Sequence, residues 1–157
     1  MARITVNTTG TQPILLVSAN VSNVSANSLS VSCLQDITIT NSTGIYSYTD
    51  FCSQAMNKIT TPADNEISTN LVLDGLVYFG NSAATANTAP NLGIAGLSES
   101  ATNISFKLYL NGNANGAFYY EGTGYISSLA PTVAPENPVW ISPLSIAVDG
   151  PLTSGIV

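Results

Sequence analysis

Histidine is absent from the 157 residues, and cations nearly so: Arg3, Lys58 and Lys107 face nine acids, for a net charge of −6. Without histidine the chain lacks the commonest general base, the usual catalytic triad and most zinc-ligand sets. Three cations cannot neutralise a run of phosphates. Sequence-specific nucleic-acid binding and adhesion to an anionic membrane are therefore not expected. Long apolar runs are missing as well. No stretch approaches the ~18 residues of a membrane span, and Met1–Asn7 lacks the ~7–15-residue apolar core of a signal peptide. The five Asn-x-Ser/Thr sequons, at Asn7, Asn20, Asn23, Asn41 and Asn103, then follow from composition rather than from glycosylation. Cys33 and Cys52 are the only cysteines. They are too few for a disulfide framework or a metal site, and are expected as unlinked, partly buried thiols.

Charged residues make up only 8% of the chain, against about 25% in an ordinary soluble protein. Surface polarity must come from Ser, Thr, Asn and Gly. Such a surface repels copies of itself weakly and suits close self-association. Hydrophobic residues reach 45%, enough for a core in a chain of single-domain length.

Motifs that carry chemistry are lacking. There is no Gly-x-Ser-x-Gly, no P-loop and no Cys-x-x-Cys. Asp64 and Glu66 form the closest acidic pair and read as solvated loop charges; a calcium cage needs denser oxygen ligands. Gly122-x-Gly124 matches half a dinucleotide loop, but no helix follows, so these are strand glycines. Tyr46, Tyr48, Tyr78, Tyr109, Tyr119, Tyr120, Tyr125 and Trp140 could stack on sugars. At alternating strand positions they read instead as core or subunit interface. No catalytic, cofactor-binding or metal-ligating residue is assigned, no cofactor is expected, and the chain is not expected to be an enzyme.

What is present is strand pattern. Turn signals recur at short intervals between alternating runs, which predicts an all-β sandwich or partial barrel with one short flanking helix, in a single domain over residues 1–157. Pro13–Val17 is a short buried run. Leu29, Val31, Cys33, Ile37 and Ile39 keep one phase, with Leu34 out of phase. Asn41–Gly44 reads as a turn before an Ile45–Thr49 strand. Phe51, Ala55 and Ile59 have helical spacing, yet Pro62 ends it early, so Asp50–Pro62 stands as helix or loop. Leu71, Leu73 and Val77 follow, with a bulge or kink at Asp74-Gly75. A short helix starting at Pro90 would carry Leu92, Ala95 and Leu97 despite Gly93 and Gly96. Residues 104–127 form a hairpin. Ile104, Phe106, Leu108 and Leu110 share one face, Ser105, Lys107 and Tyr109 the other, and Asn111–Gly116 makes the loop. The last core strand spans 139–149, with a bulge or an edge position at Pro143.

The order of these pieces resembles the major tail tube proteins of long-tailed bacteriophages. The resemblance runs over roughly residues 28–153. It rests on Ile104–Leu110, an Asn/Gly hairpin, Tyr119-Tyr-Glu-Gly-Thr-Gly-Tyr-Ile-Ser-Ser-Leu129, a proline-containing loop and a strand ending at Val148-Asp-Gly-Pro-Leu-Thr153. Tyr48–Phe51 and Glu66–Ser68 add to it. The chain departs from that family in its scarcity of charge. A contractile-tail or secretion-system tube shares the fold.

The resemblance implies a hexameric ring whose inner strands join into one continuous β-barrel, and rings that stack into a tail tube in the virion after assembly in the host cytoplasm. Implied partners are other copies of the chain, the tail terminator, distal tail or baseplate proteins and the tape measure protein. Genomic DNA would pass the lumen without specific binding, past a net-negative wall, and no membrane is involved. Within an N-terminal arm of residues 1–12, the segment Ala2 to Gln12 is expected at ring-to-ring contacts, as is the loop from Phe51 to Asn65. A head decoration or other virion surface protein, or a carbohydrate-binding β-sandwich, is the alternative.

Overall fold

The computed structural model describes residues 12–19, 28–49, 55–81, 88–136 and 138–157. The expected N-terminal arm up to residue 11, Cys52 and the 50–54 part of the ambiguous segment lie outside the described residues. Among the described residues, eight strands form one antiparallel sheet: β1 (Ile14–Ser18), β2 (Leu29–Val31), β3 (Leu34–Tyr48), β4 (Asn57–Val72), β5 (Ile104–Tyr109), β6 (Phe118–Leu129), β7 (Ile141–Val148) and β8 (Thr153–Ile156). The order across the sheet is β2-β1-β5-β6-β7-β4-β3, and β8 pairs with β6 as well. The all-β expectation therefore holds.

Strands far apart in this order feed one core. Leu29 and Val31 of β2, Phe106 of β5 and Ile67, Leu71, Leu144 and Ile146 of β4 and β7 belong to a single buried cluster. The sheet must curl to bring them together. Two helices complete the enclosure, α1 (Gly75–Phe79) and α2 (Ala89–Glu99), through buried Tyr78, Ala89, Ile94 and Leu97. One helix was expected; two are present among the described residues. Asp74-Gly75 is neither bulge nor kink. The Asp74 carboxylate accepts from the amides of Leu76 and Val77 and so caps α1. In α2 the chain is non-helical at Gly93 (φ 66°), which breaks it into two turns and puts Ile94 beside Leu97 in the core.

The strand phases are explained by two bulges. Between the pairs Gln35↔Asn70 and Thr38↔Ser68, β3 carries one residue more than β4, and Asp36 adopts φ 50° there. This lets Leu34 and Ile37 both pack on the core although their positions differ in parity. The single strand expected over residues 28–40 is further broken at Cys33, whose φ is 61°. Its thiol is free and exposed, not partly buried. Between Ser42↔Asp64 and Gly44↔Thr61 the extra residue lies on β4, so Pro62 and Ala63 face Thr43. The expected Asn41–Gly44 turn is this bulge, and the chain runs straight through it.

The C-terminal third follows the expected course. The 104–127 hairpin is β5 and β6, with Gly112 (φ 80°) and Gly116 (φ 87°) in its loop. Asn111 Oδ1 accepts from the Phe118 amide at 2.9 Å. Pro143 pairs with Asn70 on one side; on the other, the pairing to β6 stops at Leu144 and resumes only at the isolated bridge between Thr132 and Ile141, so the proline falls in a gap of that ladder rather than at a bulge or an open edge. The last core strand begins at Ile141 rather than at residue 139, and its path resumes as β8 beyond Pro151.

Candidate assembly surfaces

Within the sheet, pairing of β4 to β7 ends at Asn65↔Val148. Beyond that point β3 and β4 continue alone as a two-stranded arm, Gly44–Tyr48 against Asn57–Thr61. The sequence reading of Ile59 as part of a helix or loop is thus corrected: residues 57–62 are strand. Pro62, expected to end a helix-spaced stretch, instead sits at the β4 bulge, where a strand tolerates proline.

Cross-strand pairing sorts the arm into two faces. Tyr46↔Ile59 and Tyr48↔Asn57 define one, and Tyr46 and Tyr48 stack with ring centroids 6.3 Å apart. Ile45↔Thr60 and Ser47↔Lys58 define the other. Both faces are solvent-exposed: Ile45 is 62% exposed, Tyr46 57% and Ile59 52%. A bare two-stranded ribbon is marginally stable in water. Apolar side chains nevertheless stand exposed on both of its faces.

A second apolar surface lies at the opposite end of β4. Leu73, Tyr78, Phe79, Val139 and Trp140 line an open cleft of about 340 Å³, which Asp74 lines as well. Phe79, Val139 and Trp140 are exposed, as is Leu76 nearby. The Leu73 amide donates to the Trp140 carbonyl at 2.9 Å, tying the two walls of the cleft together.

The outer face of β3, β4, β7 and β6 is the third surface. Register places Thr40, Glu66, Ala147 and Tyr125 in one row and Thr38, Ser68, Ser145 and Ser128 in the next. Hydroxyls and small side chains dominate, and Glu66 is the one formal charge in these two rows. Asp64 and Glu66 were read as loop charges; both are in β4, exposed, beside Ser42 and Thr40. Among the described residues, no three potential metal ligands gather. Among them also, no helix is long and apolar enough to cross a membrane.

One charged cluster sits on the β5–β6 hairpin. Lys107 Nζ lies 3.2 Å from Glu121 Oε2 and 3.7 Å from the Tyr119 ring centroid. Partial burial works against the ammonium, but the Glu121 hydrogen bond and charge, with the phenols of Tyr109 and Tyr119, outweigh it and raise its pKa above the ordinary lysine value. Gly122 and Gly124 are strand glycines, as expected. Gly124 packs on the Ala147 backbone, and a Cβ on Gly122 would meet the Phe106 ring at 3.1 Å. Of the eight aromatics considered for sugar stacking, Tyr78 is buried beneath α2, while Tyr46, Tyr48, Tyr125 and Trp140 are dispersed over three surfaces and form no single platform.

No protein-family model matches the sequence. No curated protein matches it either. Solved structures do. A chain from the tail of an empty gene transfer agent particle, refined helically with C6 symmetry, superposes with a TM-score of 0.58 at 13% identity, covering 88% of this chain and 93% of that one. The chain shares its fold with a chain of a gene transfer agent tail. A chain of the native gene transfer agent virion gives 0.58 at 13% identity, covering 90% and 95%. A chain of the cap that terminates the anti-feeding prophage tube gives 0.54 at 11% identity, covering 100% and 95%.

Proposed function

We propose that the protein is a structural tail tube subunit, which forms hexameric rings that stack into the conduit for DNA leaving a phage-type particle. The observation that carries this reading is the β3–β4 arm, a ribbon with uncovered apolar residues on both faces that extends past the rest of its sheet. The long edge of β3, unpaired among the described residues, supports lateral association, because an open strand edge is a template for another chain and a closed ring removes it. The fold shared with the tail chain of C6 symmetry fits a six-fold ring.

In this reading the hydroxyl-rich face of β3, β4, β7 and β6 lines the lumen. Ser and Thr side chains offer DNA no cation to hold it, and Glu66 repels phosphate. The role is mechanical and non-enzymatic, and the partners are further copies and the proteins that close the tube at each end. Electron microscopy of the purified protein tests it. Six-fold rings or tubes about one ring wide are expected; a persistent monomer or compact trimer at high concentration overturns the reading.

A further inference from the structure

The arm and the apolar cleft stand at the two ends of the same strand. The arm includes the Asn57 end of β4, and the cleft starts at Leu73, one residue past its other end. Sixteen residues of strand separate them by roughly 50 Å at ~3.3 Å per residue. Moving one copy along the direction of β4 therefore carries the arm of one subunit to the cleft of another. Such a contact joins two different surfaces, so it repeats without closing.

Charge adds a direction and a face. Lys58 lies on the arm face that carries Ile45, two pairs along. The other described cation, Lys107, is held by Glu121, whereas Lys58 has no ion pair among the described residues. At the cleft, Asp74 uses Oδ1 for both of its capping bonds, which leaves Oδ2 for a partner. In a chain this poor in charge, an uncommitted cation beside an exposed isoleucine matches an acid beside an apolar cleft.

We propose that the arm of one subunit seats on the Leu73–Trp140 cleft of a second copy in the next ring, with Ile45 entering the cleft and Lys58 pairing with Asp74. This rests on the stacked-tube reading and names the contact that holds the stack.

The test uses the full chain with Cys33→Ser and Cys52→Ser, carrying Ser47→Cys on the arm and Gly75→Cys at the cleft, where an added Cβ meets nothing within 4 Å. Assembled tubes are treated with a short bis-maleimide and run on a denaturing gel. The expected result is a covalent ladder that continues past the hexamer. Well-formed tubes without a ladder, or with one that stops at six, overturn the proposal and leave the tube reading intact, the second outcome assigning the arm to a neighbour in the same ring. Failure of the unmodified protein to form tubes overturns both. In parallel, Lys58→Glu should raise the subunit concentration needed for tubes about fivefold, the scale of one exposed ion pair. Asp74→Asn, which keeps a capping oxygen, should partly relieve that defect. A Lys58→Glu defect that Asp74→Asn leaves unchanged removes the pairing.

Discussion

Gly80 and Gly93 meet backbone to backbone where α1 crosses α2. A Cβ on Gly80 would lie 2.6 Å from the Gly93 nitrogen, and one on Gly93 would lie 2.7 Å from the Phe79 carbonyl carbon. Both residues have positive φ, 74° and 66°. The two helices that close the core are thus held at a distance only glycine allows.

Gly93→Ala should therefore destabilise the subunit by roughly 2–4 kcal/mol, from the left-handed backbone and the forced separation together. Urea unfolding by circular dichroism measures it. A midpoint within error of the parent would show that the crossing relaxes freely. Gly116, also at positive φ but with open space around it, should cost less when replaced by Ala, about 1 kcal/mol.

Lys107 should contribute stability at neutral pH and lose it in alkali. Its folded pKa lies above the unfolded value, so the contribution is complete below about pH 10.4 and disappears as the pH rises through the folded pKa. The side chains of the pair are 25% and 43% exposed, so solvent screening keeps the effect below ~1 kcal/mol. Melting of the parent and Lys107→Met should differ by a constant amount from about pH 7 to 9, and the gap should shrink as the pH rises through the folded pKa. A gap that stays unchanged however far the pH is raised into the alkaline range would assign Lys107 a packing role alone.

Ser105 Oγ is buried and has no hydrogen-bond partner among the described residues. Ser105→Ala should be neutral or stabilising by up to ~1 kcal/mol, because it removes a desolvated hydroxyl without breaking a bond. A loss above that amount in thermal unfolding would reveal a bound water or a partner outside the described residues.

Glu66 should govern passage of DNA without governing assembly, if its face lines the lumen. Glu66→Lys replaces one repelling charge by an attracting one in every subunit. Tubes should form as before, while genome ejection slows, most at low salt where the screening length exceeds ~10 Å. Unchanged ejection at 10 mM and 200 mM salt would place Glu66 away from the path of the DNA.

The β class, the C-terminal hairpin and its loop were legible because alternation is strict there: Ile104, Phe106 and Leu108 face the core, and Asn111, Gly112 and Gly116 supply turn chemistry. The arm was not legible. Phe51, Ala55 and Ile59 fall at helical spacing by coincidence, and the ribbon's residues alternate against no core of their own subunit, so burial leaves no period to read. A bulge also hides its signature, since Pro62 looks like a stop wherever pairing is invisible. Helix α1 was missed for its length. Five residues give one turn, and the Asp74 cap reads equally as a strand-end turn. The acidic pair kept its exposure but not its setting, because Asp64 and Glu66 occupy the solvent side of a strand whose other side holds Asn65 and Ile67.

The two bulges of the β3–β4 ribbon have a mechanical consequence. The first adds a residue to β3 and the second adds one to β4, so the offset between the strands returns beyond Gly44 to what it was at Leu34. Sliding one strand along the other would have to displace both irregularities together, with Pro62 and the left-handed Asp36 moving to sites that do not suit them. A pull along the arm is then borne in shear by many cross-strand bonds at once, rather than by peeling them one at a time. If, as proposed, such arms join the rings of a tube, its junctions would resist stretching.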